Sequence, residues 1–454
     1  MSLESHLHKE FTKLMKKHWK FIDSQWPEMK PSKYHRTDKK DICDMKHIKE
    51  VVVNRLGIIP VFFFLIVLYP FKHHPGPYRN VEKGLLILYH LLKGISYSDM
   101  GTFIPQSSFH DIHKSFYGRE NNPNNELDEQ MTDLLHEMFS NIKIRVLSAK
   151  IRNPPLFKTV TTFLDGHDTR GKKIGTRSED GYSYKFKKSG FRTQVCIDMN
   201  GMVLLISESA PCKNNTDGAM LKKMRIQDKI EKYDSIAVDG GYKLFIKQIV
   251  EESNLKERNF CCPIRKIKNM ELSDEEKKYN EMFGSFRSSI EGFFGEIGTI
   301  FEKFNNRRSI RSSDYTTFNL QFKLACLLLN VKKFVDLGVI TPSSQHLLWL
   351  EDRFDYSHNV DSDIESHMIT TLKETSSSFD EMSKCQKRIL DSFNDDNSDE
   401  EMDELYEVDK IISHKGVGKS IQYLVKWKGY KETTWEDTNN FNSDSCIKEY
   451  WDRR

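Results

Sequence analysis

The sequence predicts a multidomain protein with an α-helical N-terminal region, an α/β core and a small β-sheet followed by a C-terminal helix. Three observations predict this. Apolar residues recur every three to four positions between Val81 and Tyr117, the spacing of helices. β-forming runs alternate with helical stretches from 161 to 304. Ser420 to Trp427 sets Ile421, Tyr423, Val425 and Trp427 against Gln422, Leu424 and Lys426, the two-residue period of a half-buried strand.

Residues 1–55 are charged, and their KxxKKHxKF run is expected to form an amphipathic helix. In residues 56–125, Asn80 is placed to cap a helix over 81–92, where Val81, Leu85, Leu88 and Leu92 share a face and Gly94 ends it. A second short helix is expected over 96–103. A third follows Pro105, capped by Ser107 or Ser108 and running through Phe109, Ile112, Phe116 and Tyr117. Short helices joined by tight turns make this region helix-turn-helix-like, with Gln106, Ser107, His110 and Lys114 of the third facing the DNA major groove. A plain helical bundle accounts for the same pattern.

With 454 residues and 38% hydrophobic content, the chain has room for about three domains. Charge is uneven: from 339 onward 14 Lys and Arg face 25 Asp and Glu, leaving 55 against 41 in residues 1–338. A polyanionic partner suits the basic part. The eight cysteines are scattered with no CxxC pair, so neither a zinc site nor a disulfide framework is expected. The apolar run 58–71 is interrupted by Pro60 and too short to cross a bilayer as a helix, and no signal peptide or membrane contact is expected.

Helices are expected over 126–138 and 142–152, after a break at 121–125 marked by Pro123. TTFLD then stops at Asp165 before Gly166, and RTQVCID and MVLLISE join at Asn200-Gly201 as a hairpin. A helix over 217–231 precedes SIAVD, a strand ending at Asp239. A helix over 243–251, a strand over 259–264 and a long helix over 278–304 follow, the last holding Arg287 and Glu291. Neighbouring strand ends bring carboxylates together, and an inward helical Glu completes the group. Such acids repel one another unless cations neutralise them, and Mg²⁺ binds through one or two carboxylates plus phosphate oxygens. A single Asp ending a strand is more often a turn former or a cap. Asp217 reads as a helix cap first and a metal-site neighbour second.

Across roughly 163–337, the pieces FLDG (163–166), YSYKFKKSGFRTQVCIDMNGMVLLIS (182–207), NNTDGAM (214–220), AVDGGY (237–242) and RSSIEGFFGEI (287–297) stand in one order. Together they resemble the DDE catalytic domain of the PIF/Harbinger superfamily and related bacterial insertion-sequence transposases. The resemblance implies a ribonuclease-H-like fold over 126–338 and a catalytic, metal-binding triad of Asp165, Asp239 and Glu291. It also implies two Mg²⁺ (or Mn²⁺) ions and metal-dependent cleavage and strand transfer on double-stranded DNA, both transposon ends and target. Lys185 and Lys187 fall in a basic, DNA-facing stretch, while Arg287, one turn before Glu291, is placed to touch phosphate or pair with the Glu. Lys303, Arg307, Arg308 and Arg311 extend a basic strip. Asp168 is not assigned to the triad. A homodimer or higher oligomer is implied, with a Myb-like helper protein as a further partner.

Residues 339–404 contain a Ser/Thr-rich stretch at 371–378 and the acidic DSFNDDNSDEEMDE at 391–404, the composition of a disordered tether. Mimicry of DNA is the other reading. Residues 405–454 hold YEVDKI, YLVKWKGY, TWE and IKEYW, with Trp435 and Trp451 expected to supply much of a core. These motifs resemble a chromodomain. The resemblance implies a methyl-lysine cage of Tyr406, Trp427 and Tyr430, a methylated histone tail as partner, and a place in the nucleus at chromatin. Aromatic faces hold a methylated ammonium with about 0.5–2 kcal/mol per ring. The stretch between Tyr430 and Trp435 is shorter than in heterochromatin-protein chromodomains, with Glu432 standing in for the usual acid. The combined expectation is a transposase docked on chromatin. The alternative is a domesticated, catalytically inactive chromatin-associated DNA-binding or regulatory protein.

Overall fold

The computed structural model describes residues 2–25, 41–57, 77–119, 122–139, 141–171, 181–305 apart from 184, 186, 214, 232, 254 and 267–270, then 315–338, 347, 349–351, 408–416, 421–427, 433–437 and 445–452. Residues Met1–Glu381 form one compact unit and Met382–Arg454 another. The apolar run 58–71 and the acidic tract 391–404 lie outside the described residues. Among the described residues, no helix is long and apolar enough to cross a membrane.

The expected N-terminal helix is α1 (Leu3–Gln25), which buries Leu7 and Phe11. Helix α2 (Met45–Leu56) follows. Helix α3 (Asn80–Lys93) starts one residue before the expected span, because Arg79 takes the cap position and its N–H donates to Glu82 Oε2 at 3.1 Å. Every residue from Asn80 to Leu92 is buried, so α3 is a central helix with no solvent stripe. Gly94 ends it in the left-handed region, at φ 57°. Helix α4 (Tyr97–Met100) is capped by Ser96 and Asp99. Helix α5 (Gln106–Tyr117) begins directly after Pro105 with no side-chain cap, so Ser107 and Ser108 lie inside its first turn rather than capping it.

A short ribbon, β1 (Gly118–Arg119) with β2 (Asn122–Pro123), and helices α6 (Asn125–Phe139) and α7 (Ile142–Arg152) lead to the main sheet. Its long strands are β3 (Thr162–Arg170) and β5 (Lys188–Asp198), antiparallel from Thr162↔Asp198 to Arg170↔Gly190. The other edge of β5 carries β4 (Tyr182–Ser183), β7 (Ala210–Pro211) and β6 (Val203–Ile206). On the far side of β3, β8 (Ile236–Val238) and β9 (Phe260–Cys261) run parallel. Strand β3 does not stop at Asp165, because pairing with β5 carries it to Arg170. The Asn200-Gly201 turn is present, with Gly201 at φ 73° and Asp198 Oδ1 accepting from the N–H groups of Asn200 and Met202.

Helix α8 (Asp217–Met224) ends before 231 because Arg225 turns left-handed at φ 48°. Helix α9 (Lys243–Glu251) fills its expected span. Helix α10 (Asp274–Ile300) starts earlier than 278, since Ser273 and Glu276 cap each other. It lies along β3, with Phe286 against Phe163 at 4.7 Å and Phe294 stacked on His167 at 4.6 Å between ring centroids. Helix α11 (Tyr315–Gly338) was not foreseen from sequence. Residues Phe318 to Val331 are all buried, the polar Asn319, Gln321, Lys323 and Asn330 included, so no solvent-facing stripe reveals its period. Its Asn330 amide clasps Val203 of β6, accepting from the N–H at 2.7 Å and donating to the carbonyl at 2.6 Å. Phe334 of α11 meets Phe11 edge-on, joining α11 to α1.

One ion pair is sealed inside. Arg145 of α7 holds both Asp234 oxygens, at 3.0 and 2.7 Å, and Thr161 Oγ1 donates to the same carboxylate at 2.6 Å. Their side chains are 3% and 1% exposed. Burial penalises the Arg145 guanidinium, but Asp234 outweighs this and holds it above its ordinary value.

In the C-terminal unit β10 (Val408–Lys415), β11 (Gln422–Trp427) and β12 (Thr433–Asp437) form an antiparallel sheet, followed by α12 (Ser445–Asp452). Its core is Ile411, Tyr423, Val425 and Tyr450. The expected Trp435 and Trp451 core is corrected: both are about two-fifths exposed, at 40% and 42%. Lys415 Nζ lies 4.3 Å from the Trp435 ring, and Trp451 Nε1 donates to Tyr423 Oη at 3.1 Å. Each ring thus sits at the rim of the core, one against a cation and the other bonded through its N–H.

Removing one member of the sealed pair strands the other charge. Arg145→Met or Asp234→Asn should therefore lower unfolding free energy by about 3–5 kcal/mol, read from urea titration.

Candidate active site

The register of β3 and β8 sets the site. Thr162↔Ile236, Phe163↔Ala237 and Leu164↔Val238 are paired in parallel, so Asp165 and Asp239 are the next residues of two adjacent strands. Neighbouring strands lie about 4.8 Å apart, which brings the two acids side by side. Asp239 leaves the sheet there and its Oδ1 accepts from Gly240 N, the start of a tight turn. Alternation places Phe163, Asp165 and His167 on the α10 face of β3. Because Phe286 and Phe294 pack on Phe163 and His167, the stretch of α10 between them faces Asp165.

That stretch supplies Arg287 and Glu291. Arg287 NH1 donates to Asp165 Oδ2 at 2.7 Å, and NH2 donates to Glu291 Oε1 at 3.3 Å. The other Asp165 oxygen accepts from Gly166 N at 2.8 Å. Burial raises the Asp165 carboxyl above its ordinary value, with Arg287 and Gly166 opposing and the Asp239 charge adding to the rise. Burial works against the Arg287 guanidinium, but Asp165, Asp239 and Glu291 outweigh it and push it up. The site thus collects negative charge around one guanidinium. Among the described residues, no three carboxylate, imidazole or thiol side chains converge as a ready metal cage.

A fourth acid arrives from the opposite face. A Cβ on Gly166 would stand 2.5 Å from Asp217 Oδ1, so the glycine of FLDG makes room for this carboxylate. Asp217 is not the cap of α8: Thr216 is, accepting from Ala219 N at 3.3 Å. Burial raises the Asp217 carboxyl; Arg192, at 3.2 Å, opposes this and the charges of Asp165, Asp168 and Asp239 reinforce it. Sequence reasoning missed Arg192, Gln194 and Tyr242. Gln194 Nε2 donates to the Asp217 carbonyl at 2.7 Å and to Tyr242 Oη at 2.9 Å, holding the start of α8 against β5. Their places in FRTQ and DGGY carry no period that marks them.

Asp168 lies on that same opposite face, where Arg192 grips both its oxygens at 2.7 and 3.0 Å and Ser183 Oγ donates at 2.6 Å. Burial opposes its ionisation, yet these bonds outweigh burial and hold its carboxyl below the ordinary value. It is a structural acid.

The other expected contacts are spread out. Lys185 and Lys187 are exposed between β4 and β5, with Lys187 at φ 52°. Gln106, Ser107 and Lys114 are exposed on α5, while His110 is half-buried and its ring is 5.8 Å from that of Tyr97. Lys303 is not part of an open basic strip: it packs against Gly94, and burial pushes its ammonium down to about 8. Arg307, Arg308 and Arg311 lie outside the described residues, as do Tyr406, Tyr430 and Glu432. The backbone of Trp427 pairs with Val408. The described cysteines are all free thiols.

Asp165 and Asp168 give opposite signs of pH dependence. Raised in the folded state, Asp165 favours folding most below the ordinary aspartate range and loses that contribution as pH rises through its elevated value. Depressed, Asp168 favours folding above the ordinary range and loses that contribution as pH falls through its lowered value. In chelator, Asp165→Asn should gain on the parent in thermal stability as pH rises from about 3 to 7. Asp168→Asn should instead be destabilised near neutrality, by about 2–4 kcal/mol, with the gap closing in acid.

Residues 164–330 match the family model of the DDE superfamily endonuclease, and residues 406–453 match the Chromo (CHRromatin Organisation MOdifier) domain. The chain is 41% identical over 70 residues to the chromatin-associated protein SWI6 of Cryptococcus neoformans, covering 15% of this chain and 30% of that protein. It is 43% identical over 53 residues to heterochromatin protein 1 of Drosophila melanogaster, covering 11% of this chain and 26% of that protein. The chain thus spans less than a third of either relative's length. No solved structure matches the chain significantly.

Proposed function

We propose that this chain, a DDE superfamily endonuclease domain joined to a C-terminal chromodomain, is a DNA transposase of PIF/Harbinger type that works at chromatin in the nucleus. Residues 56–125 serve as DNA-binding helices, 126–338 as a ribonuclease-H-like catalytic domain, 339–404 as a tether and 405–454 as a methyl-lysine reader. The observation that carries this reading is the parallel register that makes Asp165 and Asp239 neighbours, with Glu291 linked to Asp165 through Arg287.

The donor set fits hard divalent cations. All its side-chain oxygens are carboxylate, and Mg²⁺ needs only one or two such ligands beside phosphate oxygens and water. Asp165, Asp239 and Glu291 would hold two Mg²⁺ or Mn²⁺ ions. Bound there, such ions supply the positive charge that activates an attacking oxygen and stabilises a leaving one. The chain's own residues do the rest. Phe286 and Phe294 fix the height of α10 against β3 and so the distance of Glu291 from the strand ends. Gly166 keeps the path open for the Asp217 carboxylate. Arg287, with Lys185 and Lys187 at the surface, offers cations to the DNA backbone. Transposon ends and target are the DNA partners, and a homodimer or larger assembly, with a Myb-like helper, brings two ends together.

Tyr406, Trp427 and Tyr430 form the cage for a methylated histone tail. A reader on a tether raises the local concentration of the nuclease domain at chosen nucleosomes without a new DNA contact. A second reading is a domesticated, catalytically inactive DNA-binding protein at chromatin. The bonding of Arg287 to Asp165 and Glu291, which engages two of the three acids, favours it.

Incubation of a terminal-repeat duplex with the protein and Mg²⁺ or Mn²⁺ separates these readings. Nicking by the parent, reduced to background in Asp165→Asn, Asp239→Asn and Glu291→Gln while gel-shift affinity stays, supports the transposase; no nicking by the parent supports the second reading. For the reader, Trp427→Ala or Tyr406→Ala should weaken binding of a trimethyl-lysine histone peptide about 2- to 30-fold by fluorescence anisotropy. Equal affinity for methylated and unmethylated peptide in the parent overturns the cage.

A further inference from the structure

We propose that Arg287 is a built-in counter-ion that competes with the divalent cation for Asp165 and must swing aside when the site is loaded. The inference rests on the reading of Asp165, Asp239 and Glu291 as cation ligands. Both Asp165 oxygens are engaged: Gly166 N donates to Oδ1 at 2.8 Å and Arg287 to Oδ2 at 2.7 Å. Of these two donors, only the guanidinium is on a side chain that can rotate away. A positively charged donor on Oδ2 takes one of that oxygen's two lone pairs and repels a second cation approaching it.

The fold confines the motion to side chains. Phe286 and Ile290 are buried on either side of Arg287, so α10 stays against β3. Four residues apart on one helix, Arg287 and Glu291 share a stripe, and the second arm of the guanidinium reaches Glu291. Glu291 is 63% exposed and Arg287 18%, so the carboxylate has room to turn once the guanidinium lets go. Arg287 therefore spans the gap across which the acids have to converge. Its presence holds them in place without a metal, at the cost of weaker cation binding in the absence of DNA. Displaced, the same guanidinium is released beside the strand ends, where a DNA phosphate would lie.

Mn²⁺ titration of the full chain without DNA, followed by the electron paramagnetic resonance of the free ion, tests this without reference to catalysis. Arg287→Gln should bind Mn²⁺ about tenfold more tightly than the parent. Arg287→Lys, which keeps the charge but loses the fork that bridges the acids, should bind about threefold more tightly and covers the case of a glutamine variant that does not fold. Lys278→Gln removes an exposed charge from the same helix that makes no ion pair with Asp165, and should change affinity by less than about twofold. Equal or weaker Mn²⁺ binding by both Arg287 variants overturns the proposal. Unchanged Mn²⁺ binding in Asp165→Asn, or none in the parent, instead overturns the underlying reading of the acids as ligands, and the competition with it.

Discussion

Three residue pairs, Thr162 to Leu164 against Ile236 to Val238, hold the rest of the larger unit to its purpose. The strands are parallel, so their ends point the same way and the first residue beyond each pairing is an aspartate. A slip of one position would turn Asp165 to the other face and Phe163 away from Phe286. The buried Arg145–Asp234 pair stands at the entry to the same strands, because Asp234 immediately precedes Ser235, whose carbonyl accepts from Thr161 and Thr162. Register is thus anchored by charge at one end and expressed as acidity at the other.

Much of this was legible in the chain. Asp165 and Asp239 each follow an apolar run and precede glycine, a local pattern that needs no knowledge of the partner strand. Gly94 and Gly201 likewise act within a few residues of themselves. What escaped was decided across the sheet. Pairing with β5 prolongs β3 past Asp165, and only the antiparallel register reveals that Asp168 faces Arg192. Helix α11 escaped for the opposite reason: its middle is buried all round, and Asn319, Gln321 and Lys323 alternate there with apolar residues, a two-residue spacing that hides the helical period. Trp435 and Trp451 misled because size suggested burial, while their rings lie at the surface.

The two faces of β3 divide its labour. On one, Phe163, Asp165 and His167 meet α10, which brings aromatic weight and an arginine. On the other, Arg192 and Ser183 hold Asp168, and Arg192 also reaches Asp217, whose carboxylate fills the space above Gly166. Acids three positions apart on one strand consequently have opposite electrostatic characters. One is held in a state that strains against its surroundings, the other in a state its surroundings reward. Sites that do chemistry are commonly of the first kind and scaffolds of the second.

The Asn330 clasp on Val203 reaches beyond packing. A strand at the border of a sheet presents bare main-chain groups that recruit strands from other molecules. At β6, one amide side chain stands in for a missing neighbour by saturating both polar groups of Val203. Addition of a foreign strand at Val203 is thereby disfavoured, because the groups it would need are already bonded.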